Sequence, residues 1–440
     1  MLQKKKNKLS GNRMVSNSIW IIGGQVFQMG LTLVVGMLTA RYLGPSNYGV
    51  INYAASVVAF FLPIMQLGLT STLVQEMITC PNKEGEILGT SLVLNFSSGV
   101  VCVVGVTLFA FLANAKDAET TIVCFLYSLT LIFQAAEMIQ YWFQARLLSK
   151  YPSLMSLVAY LIVSIYKVYI LISEKGIYWF AITHVIESFI ISVLLGVVYL
   201  KLEGPRLAVS FSLGKKLLSR SKYYISSAMM VIIFQQTDKI MLKMMIDETE
   251  TGFYSAAITC IGITGFVFVA IIDSFRPVIL RGKKISEDNY QKKVVYLYAI
   301  ITILSLIQSI VMTVFAKLVI LILFGEEFLP SVPILQIAVW FVTFGYYGMV
   351  RNVWILAEGQ QKYLWFINLV GALTNIIVNF ILIPILGACG AAIASVITQF
   401  ITNFALCFII KPIRPCGRLI LKALNPKIFS ELISIIKERK

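Results

Sequence analysis

The chain has 440 residues, of which 58% are hydrophobic and 13% charged, and its formal net charge is +16. Its mean hydropathy is +0.84. Soluble domains are about 45–50% apolar and roughly 25% charged, so this composition excludes a cytosolic enzyme, a disordered chain and a basic nucleic-acid-binding protein. The sequence predicts an all-α polytopic membrane protein with no cofactor.

Twelve stretches are long and apolar enough to cross a bilayer as a helix, which takes about 20 residues. The first follows a lysine-rich start, but its length of about 25 residues indicates an uncleaved span rather than a signal peptide. The predicted spans are 15–40, 49–73, 87–113, 120–143, 152–173, 177–200, 223–246, 253–277, 294–323, 331–357, 363–385 and 390–410.

Lysine and arginine positions predict the orientation of these spans. With the N-terminus in the cytoplasm, 28 of the 37 cationic residues fall in cytoplasmic segments. Only Arg41, Lys116 and Lys175 fall in external turns. Both termini are therefore predicted to be cytoplasmic, and the positive charge is explained by topology and by anionic lipid headgroups.

The predicted spans divide into two groups of six. We expect an N-terminal bundle over 1–200, a cytoplasmic linker over 201–222, a C-terminal bundle over 223–410 and a cytoplasmic tail over 411–440. In the tail, Ile428, Leu432, Ile435 and Ile436 line one face of a possible amphipathic helix on the inner leaflet. A solvated tail is the alternative.

Charged residues within spans are costly, at roughly 2.5–3.5 kcal/mol each on insertion scales, which makes them functional candidates. An anionic substrate would suit a cationic path, and arginine adds bidentate contact with a phosphate or carboxylate. The candidates for substrate binding are Lys167, Lys239, Arg276 and Arg351. Snorkelling to the headgroups is the alternative for Arg276 and Arg351.

Acidic residues and the single histidine are candidates for ion coupling. Asp238 can take a cation or a proton, and its neighbour Lys239 points about 100° away on a helix. His184 and Glu187 are three residues apart and can form a proton-carrying pair. Asp273 and Arg276 have the same spacing and are expected to neutralise each other.

Uncharged polar residues in the spans have two interpretations. Asn375 and Asn379 can hydrogen-bond sugar hydroxyls, or they can bond other helices. Glu137 and Gln134 near the inner end of the fourth span are expected to line a wet inner vestibule.

Four segments, taken in order, carry a family resemblance. They are Ala40–Gly49 (ARYLGPSNYG), Gln236–Leu242 (QTDKIML) followed by Thr251–Ala257 (TGFYSAA), Leu323–Gly325 (LFG), and Asn375 and Asn379 followed by Pro384–Ser395 (PILGACGAAIAS). Together they resemble Wzx-type polysaccharide flippases, which move O-antigen or capsule repeat units, of the multidrug/oligosaccharidyl-lipid/polysaccharide exporter superfamily.

The resemblance implies two six-helix bundles around a central cavity that works by alternating access. It implies an undecaprenyl-pyrophosphate-linked oligosaccharide as substrate, in the bacterial cytoplasmic (inner) membrane, for O-antigen, lipopolysaccharide or capsule biosynthesis. It also implies contact with membrane lipids, a polysaccharide polymerase and a chain-length regulator, and no nucleic-acid partner.

Two alternatives remain at the level of sequence. A multidrug exporter of the same superfamily predicts acidic residues in the lumen, whereas cations within the spans here at least equal the acids. A membrane-embedded polysaccharide polymerase would need a sizeable external loop, because catalytic residues sit disproportionately on loops. No nucleophile–base pattern or phosphate-binding loop is apparent, so the chain is predicted not to be an enzyme.

Overall fold

A computed structural model describes residues 2–114, 117–283, 285–428, 430–431 and 434, with side chains from residue 28 onward except at 29, 71 and 227. The regular elements in these ranges are helices. The chain divides into two compact units, Met1–Gln236 (unit 1) and Thr237–Lys440 (unit 2). An all-α polytopic architecture is therefore confirmed.

Unit 1 is built on a long first helix that is broken in the middle. Gly44 has φ 69° and ψ 174°, a backbone conformation that glycine adopts without strain. Pro63 also lies within this helix. The helices of unit 1 are α1 Leu2–Met65, α2 Leu73–Thr79, α3 Glu84–Ala113, α4 Ala118–Ser128, α5 Thr130–Ala136, α6 Ile139–Ala145, α7 Lys150–Ile172, α8 Ile177–Lys201 and most of α9 Phe211–Met245.

Unit 2 contains a second broken helix. Gly387, at φ 56°, interrupts α16, and Glu250 accepts a 2.7 Å hydrogen bond from the backbone N–H of Ala388 at the break. The helices of unit 2 are the end of α9, α10 Glu248–Gly262, α11 Gly265–Lys283, α12 Glu287–Val314, α13 Ala316–Leu323, α14 Ser331–Ala338, α15 Phe341–Ala357, α16 Lys362–Phe400, α17 Leu406–Ile409 and α18 Arg414–Ala423.

The described residues contain eight helices long and apolar enough to cross a membrane, or nine if the bent pair Glu248–Gly262 and Gly265–Lys283 is one span. The predicted count of twelve is not confirmed. Two of the eight, Gly30–Met65 and Lys362–Ile409, each contain a glycine break and cover more than one predicted stretch. The seventh predicted stretch lies in α9, which is not among them and carries the polar run Gln235–Lys239.

The segment predicted as a cytoplasmic linker, 201–222, packs against α3. The Ala208 N–H donates a 3.2 Å hydrogen bond to the Gly85 carbonyl, and the Ser210 N–H donates a 3.0 Å bond to Thr90 Oγ1. A Cβ built on Gly85 would lie 2.1 Å from the Arg206 carbonyl oxygen, and one on Gly89 would lie 2.4 Å from that of Ala208. Two glycines on α3 thus let the backbone of this segment pack closely against the helix within unit 1.

A buried carboxylate organises the helix ends next to this segment. Glu84 is 8% exposed and accepts hydrogen bonds from Trp142 Nε1 at 3.0 Å and from Arg146 Nη2 at 2.7 Å. The Arg146 guanidinium also lies 4.8 Å from the Trp142 ring centroid. The Tyr199 ring packs edge-on against Trp142, and its hydroxyl donates a hydrogen bond to the Pro205 carbonyl. This cluster ties α3, α6 and α8 to the start of the segment.

The tail begins as part of unit 2. The apolar face of α18, which includes Cys416, Leu419 and Ile420, is buried in the hydrophobic core of that unit. Ile428 packs against the same core. The remaining apolar positions of the predicted amphipathic helix, Leu432, Ile435 and Ile436, lie outside the described residues.

Candidate functional site

A fully coordinated carboxylate lies in the interior of unit 2. Asp238 is 4% exposed. Its Oδ1 accepts hydrogen bonds from Asn375 Nδ2 at 2.9 Å and Asn379 Nδ2 at 2.6 Å, and its Oδ2 accepts from Ser395 Oγ at 2.5 Å and from the Tyr254 hydroxyl. None of these four donors carries a charge, and the adjacent Lys239 lies within electrostatic range of the carboxylate.

The local sequence explains how three elements meet at Asp238. Asn375 and Asn379 are four residues apart on α16, so they share one face and reach the same carboxylate oxygen. Tyr254 comes from α10, whose first turn is capped by the Asp247 side chain. Ser395 lies on the part of α16 that follows the Gly387 break. The break lets one continuous stretch of chain contribute donors from both of its sides.

This arrangement stabilises a buried carboxylate. A buried carboxylate is costly without compensation, and four hydrogen bonds supply that compensation here. An asparagine amide presents either N–H donors or an oxygen acceptor, and Asn379 Oδ1 is buried without a hydrogen-bond partner among the described residues. Rotating the amides would replace donors to Asp238 with oxygen ligands for a cation, or protonation would neutralise the carboxylate.

A second polar cluster lies within unit 1. His184 Nδ1 is 3.9 Å from Glu187 Oε2, as their spacing predicts. Lys167 on α7 is half-buried and lies within electrostatic range of both residues. His184 and Glu187 line a cavity of about 350 Å³ that Lys167 does not line. Three predicted site residues are thus brought together in unit 1, and Asp238 and Lys239 are adjacent in unit 2.

The two candidate arginines occupy different environments. Arg276 pairs with Asp273 at 2.9 Å, as predicted, and both side chains are about half exposed. Arg351 is 3% exposed and donates to the Thr402 carbonyl at 2.7 Å and to Asn352 Oδ1 at 3.1 Å. Arg351 therefore does not snorkel in this structure; its guanidinium joins α15 to the π-helical turn Ile401–Ala405.

Replacing Arg351 with alanine is expected to destabilise unit 2. The change leaves the Thr402 carbonyl without its buried donor, which costs about 1–3 kcal/mol. Thermal denaturation of the purified protein in detergent would measure it as a lowered midpoint. Arg276→Ala is the matched control, because its exposed ion pair contributes about 0–1 kcal/mol. Equal midpoints for the two variants would contradict the structural role of Arg351.

Sequence reasoning missed two of the Asp238 partners. Tyr254 and Ser395 lie in the segments that carry the family resemblance, but nothing in their spacing connects them to Asp238, since they are 16 and 157 residues away from it along the chain. Asn375 and Asn379 were predicted to bind sugars or other helices. Their side chains contact the Asp238 carboxylate on α9, which corresponds to the interhelical alternative.

Comparison with known proteins identifies the family. The model of a family described as "Polysaccharide biosynthesis protein" matches residues 14–283, which is more than half of the chain. The chain belongs to this family. The match covers all the helices that follow residue 14 in unit 1 and reaches α11 of unit 2. No curated protein matches the sequence.

Two solved structures share the fold of this polysaccharide biosynthesis protein. The inward-facing conformation of a multidrug resistance MATE family transporter has a TM-score of 0.72 and 13% identity, over 89% of this chain and 95% of its own. Lipid II flippase MurJ in an inward closed conformation has a TM-score of 0.72 and 15% identity, over 96% of this chain and 93% of its own. At these identities the likeness establishes the fold.

Proposed function

We propose that this protein is a flippase that moves an undecaprenyl-pyrophosphate-linked oligosaccharide repeat unit from the inner to the outer leaflet of the bacterial cytoplasmic membrane, with both termini in the cytoplasm. The observation that carries the proposal is the match to a polysaccharide biosynthesis family on a transporter fold. The translocated repeat units would be used in O-antigen, lipopolysaccharide or capsule synthesis. A polysaccharide polymerase and a chain-length regulator are the corresponding partners.

Asp238 is the proposed ion-coupling residue. A charge inside a membrane protein marks an ion or proton pathway by default, and the four hydrogen-bond donors to this one are neutral. His184 and Glu187 are the second proposed coupling pair. Alternating access would then exchange the ion between the two sides of the membrane as the lipid-linked unit moves.

The proposed cationic contacts with the pyrophosphate are Lys167, Lys239, Arg276 and Arg351. The local geometry supports them unequally. Lys167 and Lys239 are half-buried, and neither lies within 4.0 Å of a carboxylate oxygen in the described part of the chain. Arg276 is engaged by Asp273 and Arg351 by a backbone carbonyl, so both would have to exchange an existing partner for phosphate.

A multidrug exporter is the second candidate, and the MATE transporter fold favours it. The two functions differ in the charge of their cargo. An exporter of cationic compounds needs acidic groups that face a cavity. Glu137 and Glu187 do so in unit 1, whereas the Asp238 carboxylate is engaged by four donors. The family match to polysaccharide biosynthesis favours the flippase.

Complementation of a deletion strain tests the proposal. The wild-type chain should restore surface polysaccharide, and the lipid-linked unit that accumulates in the deletion strain should disappear. Lys167→Ala and Lys239→Ala should reduce polysaccharide at equal membrane abundance. If the wild-type chain fails to restore polysaccharide while the lipid-linked unit is still made, the flippase proposal is overturned. Resistance to cationic drugs would then be the next measurement.

A further inference from the structure

The cavity in unit 1 has the size of a small-molecule site. Its volume of about 350 Å³ lies at the lower end of the 300–1,000 Å³ range of ligand pockets. Helices α1, α4, α5 and α8 enclose it. The wall from α1 is apolar and consists of Ala55, Val58, Ala59 and Leu62, whereas the walls from α4, α5 and α8 are polar.

Two hydrogen-bonding atoms in the polar wall have no partner among the described residues. Thr130 lines the cavity at 4% exposure, and its Oγ1 is buried without a hydrogen bond. Gln134, one helical turn later, also lines the cavity, and its Oε1 is buried without a partner. Leaving such groups unsatisfied costs about 1–3 kcal/mol each, so a side-chain rotation that turns them toward the cavity would let a ligand that donates hydrogen bonds satisfy them.

The charged groups of the cavity point to a neutral ligand. Glu137 and Glu187 both line it and lie within electrostatic range of each other. The cation nearby, Lys167, acts on Glu187 from outside the lining. Neither carboxyl group offers a phosphate a positive charge, whereas a carboxyl group hydrogen-bonds hydroxyl groups in either protonation state. The headgroup phosphate therefore does not fit here.

We propose that this cavity binds one sugar ring of the lipid-linked repeat unit and selects among sugars. A pyranose ring has an edge of hydroxyl groups and a face of C–H groups, which match the polar wall and the α1 wall respectively. Thr130, Gln134, Glu137 and Glu187 accept from its hydroxyls, and Ala55 and Ala59 leave room beside its face. The proposal rests on the flippase function. It adds that this cavity recognises the sugar, whereas other residues contact the phosphate.

Binding of the free glycan tests the cavity separately from transport. The probe is the repeat-unit oligosaccharide released by mild acid from the lipid-linked fraction of the deletion strain, titrated into detergent-purified protein by calorimetry. Thr130→Val and Gln134→Leu should each weaken binding about fivefold, and Glu187→Gln about tenfold. Thr107→Val is the matched control, because Thr107 bonds the Val103 carbonyl of its own helix, and its binding should be unchanged.

The outcomes separate this proposal from the flippase function. Binding to the wild type that Thr130→Val and Glu187→Gln weaken, with Thr107→Val unaffected, supports a sugar site. If the wild type restores polysaccharide in cells but binds no free glycan, or binds it equally in all variants, the sugar site is overturned and the flippase function stands. Displacement of the glycan by a cationic dye would identify a cation site instead and overturn the proposal. Failure of the wild type to restore polysaccharide would overturn both.

Discussion

Replacing Asp238 with asparagine is expected to abolish transport while leaving the protein folded in the membrane. Asparagine has nearly the same size, and the hydroxyls of Tyr254 and Ser395 can turn to accept from its amide, so the four-way contact survives. The negative charge does not survive, and with it goes the ability to bind a proton or a cation. Surface polysaccharide in a complemented deletion strain should fall at least tenfold.

Variants of the residues that donate hydrogen bonds to Asp238 are expected to impair transport less than Asp238→Asn does. Tyr254→Phe and Ser395→Ala each remove one hydrogen bond to a charged group, worth about 1.5–3 kcal/mol. We expect both to shift the ion concentration needed for half-maximal transport, with less effect on the maximal rate. Asp273→Asn is the control, since Asp273 is a half-exposed carboxylate of the same unit. Full transport by Asp238→Asn would remove Asp238 from the coupling mechanism.

Adding side-chain volume to α3 where the 204–210 segment packs against it is expected to reduce surface polysaccharide as strongly as Asp238→Asn does. Gly89→Val places a Cβ 2.4 Å from the Ala208 carbonyl oxygen, and Gly85→Ala places one 2.1 Å from the Arg206 carbonyl oxygen. Both obstacles are backbone atoms, so the segment must leave α3 and give up the bonds from the Ala208 and Ser210 N–H groups. Polysaccharide should fall at least tenfold, and protease cleavage between residues 203 and 215 should accelerate.

Gly196→Ala is the matched control for this prediction. Gly196 lies within α8 of the same unit and has open space where a Cβ would be added. Alanine stabilises a helix interior by roughly 0.5–1 kcal/mol relative to glycine, so this variant should transport normally. Cleavage rates that are equal in Gly85→Ala, Gly89→Val and the wild type would show that the segment is not held by α3.

Composition and the lengths of the apolar stretches predict the helical membrane class, because a stretch of about 20 apolar residues crosses a bilayer as a helix that satisfies its own backbone hydrogen bonds. The helix breaks at Gly44 and Gly387 fall in the gaps between predicted spans, between 15–40 and 49–73 and between 363–385 and 390–410. Hydropathy thus locates both breaks, but it does not predict the hydrogen bond from the Ala388 N–H to Glu250 at the second one. The segment 201–222 reads as a polar loop, and its contacts with Gly85 and Gly89 depend on tertiary packing.

The candidate site, like the fold, could be predicted from the sequence only in part. In-span charges are conspicuous in an apolar sequence, so Asp238, His184, Glu187 and Lys167 could be selected without a structure. Their partners could not, because the Tyr254 and Ser395 hydroxyls are common residue types far from Asp238 in sequence. Arg351 was selected for its charge, whereas its contact with Thr402 depends on the π-helical turn that exposes this carbonyl.

The most direct test of ion-coupled flipping uses purified protein in sealed vesicles. The lipid-linked repeat unit extracted from the deletion strain would be placed in both leaflets, and an impermeant glycosidase would report the fraction that reaches the outer surface. Under an imposed proton or sodium gradient, the wild type should expose glycan beyond half of the total, and Asp238→Asn should leave exposure at the level of protein-free vesicles. Exposure by the wild type no greater than in protein-free vesicles would contradict the account.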